Sequence, residues 1–224
     1  MTIQRNLRML ACDYDGTLAE HGKMNSVTEQ ALRDVKQAGL LLGLVTGRLL
    51  DDLLRVCPQV PLFDIVIAEN GAVLYQPSNG ETIDLGPSPS VEFCAALDQR
   101  GVNFATGRVL VNTLRPYGDA VREAIQTCNC DLEMIFNNEA LMILPRGVDK
   151  ASGLQAGVER LDMTADAVVA VGDAENDVAF LRAAGLAVAV ANAIDELKRE
   201  ADIVTEGVAG DGVVEFVEKH LLAQ

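Results

Sequence analysis

Histidine is scarce in this chain: His21 and His220 are the whole supply in 224 residues, so histidine-based catalysis is not expected. Neither a Walker-type Gly-rich loop nor a G-x-G-x-x-G run is present, which removes the common nucleotide cradles. No apolar run approaches the roughly 20 residues that a bilayer span needs, and the first residues lack the apolar stretch of a signal peptide. The five cysteines (Cys12, Cys57, Cys94, Cys128, Cys130) are odd in number and lack zinc-ligand spacing, which points to buried or free thiols in a reducing, cytoplasmic setting. Basic residues are outnumbered, 18 against 33 acids, for a net charge of −15. That balance argues against nucleic acid and anionic membrane surfaces as partners. It also requires local cations if the substrate is an anion.

Apolar residues are ample, at 49%, and their arrangement is informative. The run over 7–12 reads as a buried parallel strand. It stops at two carboxylates, Asp13 and Asp15, followed by Gly16-Thr17. Two carboxylates brought close repel one another unless a cation lies between them, which suggests Mg²⁺. Ser26 opens a capping box with Glu29 for a helix ending at Gly39. An apolar strand over 40–45 then ends at Thr46-Gly47-Arg48, and another over 63–68 ends at Glu69-Asn70-Gly71. Strand and helix in alternation imply right-handed crossovers and a parallel sheet.

The pattern changes after residue 71. A hairpin is expected around 77–80, then a Gly86-Pro87-Ser88-Pro89 linker and a mixed α+β stretch that returns through Pro145-Arg146-Gly147. The parallel pattern resumes with a helix from Lys150. A strand over 168–171 runs into Gly172-Asp173-Ala174-Glu175-Asn176-Asp177, and a last helix is expected from 213, capped by Asp211.

Four features thus stand at the ends of apolar strands or at the start of a helix: the Asp13/Asp15 pair, Thr46, Lys150, and Asp173 with Asp177. In an open α/β sheet those strand ends converge on one crevice. The acids offer a divalent-metal site, and Thr46 and Lys150 offer donors to an anion, a combination suited to phosphoryl transfer. Each feature alone has an ordinary explanation: Asp-x-Asp-Gly, Thr-Gly and Asn-Gly are turn chemistry, an acid can cap a helix, and a lysine can be a solvated surface residue. The ordered set points past these.

The set Asp13-Tyr14-Asp15-Gly16-Thr17, Thr46-Gly47-Arg48, Lys150 and Gly172-Asp173-x-x-Asn176-Asp177 resembles the four motifs of the haloacid dehalogenase (HAD) superfamily. The insert between the second and third motifs is similar to the type II (C2) cap of its IIB branch, which includes sucrose-phosphate and phosphoglycolate phosphatases and phosphomannomutase. The resemblance implies an α/β fold, a Rossmann-like doubly wound parallel core (1–82 and 148–224) with an inserted α+β cap (83–147). It implies Asp13 as nucleophile forming an aspartyl-phosphate and Asp15 as general acid and base. Mg²⁺ would be held by Asp13, the Asp15 carbonyl and Asp173, with Asp177 in the outer shell. Thr46, Gly47, Lys150 and Asn176 would bind phosphate. Arg48 and Asn70 are candidates for substrate contact. So are Arg108 and Arg115, which flank an expected cap strand, although solvated arginines would look the same. The expected function is a Mg²⁺-dependent phosphatase acting on small phosphorylated metabolites, either sugar phosphates or acids such as phosphoglycolate. A phosphomutase or a non-catalytic sugar-phosphate-binding module is the alternative.

Overall fold

The structure is a computed structural model and describes residues 6–223. Its centre is β1 (Met9–Asp13), five residues buried without exception. Along the chain follow α1 (Ser26–Gln37), β2 (Leu41–Val45), α2 (Leu50–Val56), β3 (Ile65–Ala68) and the antiparallel pair β4 (Val73–Gln76) and β5 (Glu81–Asp84). Next come α3 (Val91–Gln99), β6 (Ala105–Thr106), β7 (Val111–Leu114), α4 (Gly118–Cys128), β8 (Leu132–Asn137) and β9 (Ala140–Pro145). The chain closes with α5 (Lys150–Arg160), β10 (Val168–Gly172), α6 (Val178–Ala183), β11 (Leu186–Ala189), α7 (Asp195–Glu200), β12 (Ile203–Val204) and α8 (Ala209–Phe216).

Eight strands form one sheet in the order β12-β11-β10-β1-β2-β3-β4-β5. Its first six members are parallel and β4 and β5 antiparallel. Helices cover both faces, and two apolar cores lie one on each side, so the central strands are apolar throughout rather than alternating. The smaller sheet, β6-β7-β9-β8, packs one face on α3 and α4 around Phe93, Leu97, Val111, Val121, Leu141 and Ile143. The antiparallel pairing keeps the large sheet going through Asp84. Among the described residues no helix is long and apolar enough to cross a membrane, and all five cysteines are free thiols.

Two caps differ from the sequence expectation. Asn25, not Ser26, caps α1: its backbone is extended and its side chain accepts from Thr28 N–H at 2.8 Å. The last helix starts at Ala209, before Asp211, because a remote side chain supplies its cap. Asn192 Oδ1 accepts the Ala209 N–H at 2.7 Å, so a tertiary contact replaces the local one.

The small sheet is held against the large one by a buried carboxylate that follows β3. Glu69 and Asn70 are left-handed, at φ 53° and 56°, and Gly71 follows at 106°. This turn aims Glu69, only 1% exposed, at the backbone leading into β7. Its Oε1 accepts the N–H of Arg108 and its Oε2 those of Val109 and Leu110, all at 3.0 Å. A second contact lies at the rim, where Glu175 Oε2 accepts the Asn138 N–H at 3.2 Å and Oε1 lies 3.7 Å from Arg115. Glu69→Ala would strip three amides of their acceptor, and each unmet buried donor costs about 1–3 kcal/mol. We expect a loss of about 3 kcal/mol in urea unfolding, with faster amide exchange confined to Arg108, Val109 and Leu110. Glu69→Gln, which keeps one oxygen, should fall between.

Candidate active site

Three adjacent parallel strands end side by side. Asp13 closes β1, Asp173 follows β10 on one side of it, and Thr46 follows β2 on the other. The order of connections reverses about β1, so the crevice above it is where an open α/β sheet takes its ligand. Lys150, first residue of α5, reaches the same point from behind. The helix is set by a capping box in which Asp149 accepts the Ser152 N–H at 2.8 Å and Ser152 Oγ accepts the Asp149 N–H at 2.9 Å. A cation in the first turn opposes the helix dipole, and its partners offset that cost. Lys150 Nζ donates to Asp13 Oδ1 at 2.5 Å and to Asp177 Oδ1 at 2.6 Å.

All three groups of this bridge are buried. Burial opposes the charge on Lys150, but the carboxylates of Asp13 and Asp177 outweigh it and raise its pKa above the usual lysine value. Asp13 is pushed up chiefly by burial. The Lys150 ammonium pulls it down, and the Asp177 and Asp173 carboxylates push it up again. Asp177 has both oxygens committed, since Oδ2 accepts the N–H of Asp173 and of Ala174 at 3.0 Å each. Asp173 accepts the Thr17 hydroxyl at 2.8 Å. Gly16, left-handed at φ 85°, is required here: a Cβ on it would lie 2.3 Å from Asp173 Oδ2. Asn192 steadies this loop by donating to the Gly16 carbonyl at 2.8 Å.

Asp13, Asp173 and Asp177 each offer an oxygen within 4.8 Å of the others. Hard oxygen donors held against mutual repulsion fit a divalent cation, and the acids are of the expected set. The Asp15 side chain, by contrast, points away from this cluster toward Arg48 in the same cleft. Arg48 grips it with Nε at 2.6 Å and Nη2 at 2.7 Å, while Nη1 holds Asp52 at 2.7 Å and the guanidinium lies 5.5 Å from the centre of the Tyr14 ring.

Thr46 is buried, and its Oγ1 accepts the Arg48 N–H at 3.2 Å. Its carbonyl accepts the Asn70 N–H at 2.9 Å, which ties the turns after β2 and β3 together. Asn176 Nδ2 donates to Asn70 Oδ1 at 2.8 Å, while Asn176 Oδ1 and Asn70 Nδ2 are buried with no partner. Gly71 lets this turn lie on α5, because a Cβ there would sit 1.8 Å from the Asp149 carbonyl. Asp13, Asp15, Thr46, Gly47 and Arg48 open into a cleft of about 770 Å³ whose far wall comes from the small sheet.

Arg108 and Arg115 do not line that cleft. Arg108 pairs with Asp84 at 2.5 and 3.0 Å. Arg115 lies 4.7 Å over the Phe136 ring, donates to the Asn138 carbonyl at 2.6 Å and faces Glu175. Sequence reasoning assigned no role to Glu69, Glu175 or Asn192. Glu69 stood beside the Asn70-Gly71 pair, but its partners are amides some forty residues away, and no local pattern marks them.

Asp173 is raised from 3.8 to about 6, first by burial and then by the Asp177 carboxylate, with Thr17 and Lys150 pulling the other way. A raised carboxyl holds its proton more tightly folded than unfolded. Its contribution to stability is full below about pH 4 and is lost as the pH rises through about 6. A bound divalent cation relieves that repulsion. Adding Mg²⁺ or Mn²⁺ to EDTA-treated protein should therefore raise the melting temperature by several degrees near pH 8 and far less near pH 4.5. An equal rise at both would contradict the carboxylate site.

Residues 10–108 and 119–217 match the model of a family described as haloacid dehalogenase-like hydrolase. The chain is 34% identical over 223 residues to a phosphoglycolate phosphatase of Methanothermobacter thermautotrophicus, covering 96% of this chain and 99% of that one. It is 31% identical to a phosphoglycolate phosphatase of Archaeoglobus fulgidus, covering 94% and 96%. Among solved structures, a haloacid dehalogenase-like hydrolase from Bacteroides thetaiotaomicron superposes with a TM-score of 0.83 at 19% identity over 95% of this chain and 99% of that one. A sugar phosphatase of HAD subclass IIB gives 0.74 at 20% over 93% and 96%. By its matched residues, its fold and its acids at adjoining strand ends, the chain belongs to the haloacid dehalogenase-like hydrolases.

Proposed function

We propose that this phosphoric monoester hydrolase moves the phosphoryl group of a small phosphorylated metabolite first to Asp13 and then to water, with Mg²⁺ as cofactor. The buried Lys150 bridge carries the reading. It fixes one Asp13 oxygen at 2.5 Å and presents the carboxylate at the floor of the cleft, in a site that concentrates charge where a phosphate would bind. Relatives named phosphoglycolate phosphatase support a phosphate monoester as substrate.

In the first step an Asp13 oxygen attacks phosphorus while the bond to the leaving oxygen breaks, and Asp15 gives that oxygen its proton. In the second, Asp15 takes a proton from water as the water attacks phosphorus, and Asp13 departs as a carboxylate. Asp13, Asp173 and the Asp15 carbonyl would hold Mg²⁺, with Asp177 behind them, and the ion would supply charge neutralisation to the phosphoryl oxygens. Lys150 has three donors and commits two to Asp13 and Asp177, leaving one for a phosphoryl oxygen. The Thr46 hydroxyl and the Gly47 backbone would supply further donors, and Asn176 would act beside them with its Nδ2 held by Asn70 at 2.8 Å. Asp15 lines the same cleft and would meet the leaving oxygen there. The inserted α+β region, residues 83–147, would act as the cap that keeps bulk water from the intermediate.

Phosphate release from a panel of monoesters tests this. Wild-type turnover should need Mg²⁺ and stop with EDTA. Asp13→Asn should lose at least about 10³-fold in kcat, and Asp15→Asn about 10²–10⁴-fold. Turnover without a bisphosphate activator distinguishes hydrolase from mutase. An Asp13→Asn variant of unchanged rate would refute the nucleophile.

A further inference from the structure

The cap wall of the cleft carries no charge. It is made by Ala105, Asn112, Asn137, Ala140 and Met142. Sheet register accounts for their company: Ala105 stands opposite Asn112, and Asn112 opposite Met142. The neighbouring residues Val111 and Ile143 point the other way, into the cap core. Asn112 is thus, with Asn137, one of two polar side chains on an otherwise apolar sheet face that lines the same cleft as Asp13. Its Oδ1 is shielded from solvent and has no hydrogen-bond partner. Such an orphaned acceptor is a standing cost in the free enzyme, and a substrate donor would remove it. The other limb of the amide is itself a donor.

The facing wall, from α2 and the turn before it, is charged but has no cation to spare. Arg48 is paired with Asp15 and Asp52, and Arg55 with Asp52. Asp51 also lines the cleft, so three carboxylates face two guanidiniums there. A second anionic group on the substrate, beyond the phosphate, would enter a wall with an excess of negative charge. The cap arginines that could have answered it, Arg108 and Arg115, are engaged elsewhere.

We propose that Asn112 is a specificity residue that hydrogen-bonds a hydroxyl of an uncharged leaving group, so that the enzyme prefers neutral polyol and sugar phosphates to phosphorylated acids. The proposal rests on the hydrolase reading above and narrows its substrate class. Sites built to meet a hydroxyl discriminate because the analogue lacking it leaves the site's polar group unpaired.

Steady-state kinetics with glycerol 1-phosphate, phosphoglycolate and p-nitrophenyl phosphate in excess Mg²⁺ test it. Wild type should favour glycerol 1-phosphate over phosphoglycolate by about tenfold or more in kcat/KM. Asn112→Ala should lower the ratio of glycerol 1-phosphate to p-nitrophenyl phosphate by roughly tenfold, the worth of one hydrogen bond, mainly through KM. Asn112→Arg, which puts a cation on the cap wall, should shift preference toward phosphoglycolate. A wild type that prefers phosphoglycolate, or an Asn112→Ala variant that scales all three substrates alike, overturns the proposal while leaving the hydrolase reading intact. No release from any of the three overturns the hydrolase reading and this proposal with it.

Discussion

The bridge from Asp13 through Lys150 to Asp177 is the interaction on which the rest of the site depends. Its three groups come from β1, from the first turn of α5 and from the turn after β10, each at or beside the carboxyl end of the sheet. Ionised side chains removed from water are costly unless each is matched. Here one ammonium answers two carboxylates, and Asp177 takes two backbone amides besides. Matching at this cost requires that α5 lie hard against the turn after β3, which the bare backbone of Gly71 permits. The geometry around Asp13 is therefore set by backbone packing some distance from it.

The two sheets are joined through the same turns. Glu69, which binds three amides leading into β7, immediately precedes Asn70, and Glu175, which meets the β8–β9 hairpin, immediately precedes Asn176. Asn70 and Asn176 are hydrogen-bonded to one another at the back of the cleft. The two attachments differ in kind. Glu69 is buried and fully engaged, whereas the Glu175 contacts are solvent-exposed and long, so the rim is the weaker side.

The structure separates two ways of using arginine. Arg48 lies in the cleft and grips both a neighbouring helix and Asp15. Arg108 and Arg115, at the two ends of β7, serve local structure: one neutralises Asp84 at the end of β5, and the other covers Phe136 and fixes the hairpin at Asn138. Composition alone could not distinguish these uses, because guanidinium groups at strand ends look alike until their partners are known. What the small sheet presents to the cleft is a neutral face that includes Asn112 and Asn137.

Much of the core was legible in the sequence. Apolar strands interrupted by Asp13-Tyr14-Asp15-Gly16, Thr46-Gly47 and Gly172-Asp173 announce a parallel sheet and the edge of it that carries chemistry, because buried strands need uninterrupted apolar runs and their ends need turn residues. Gly39 marked a helix end for the same local reason. What only the tertiary structure decided are matters of partnership across the chain. Ala209 begins its helix because Asn192 caps it, Glu69 is buried because amides near residue 109 receive it, and Asp15 faces Arg48 rather than Asp13. Asn112 faces the cleft because strand register turns it there. Hydrophobic pattern and turn chemistry are short-range and can be read in order. Hydrogen-bond and ion-pair partners depend on which distant backbone arrives within about 3 Å, and that is settled only when the layers pack.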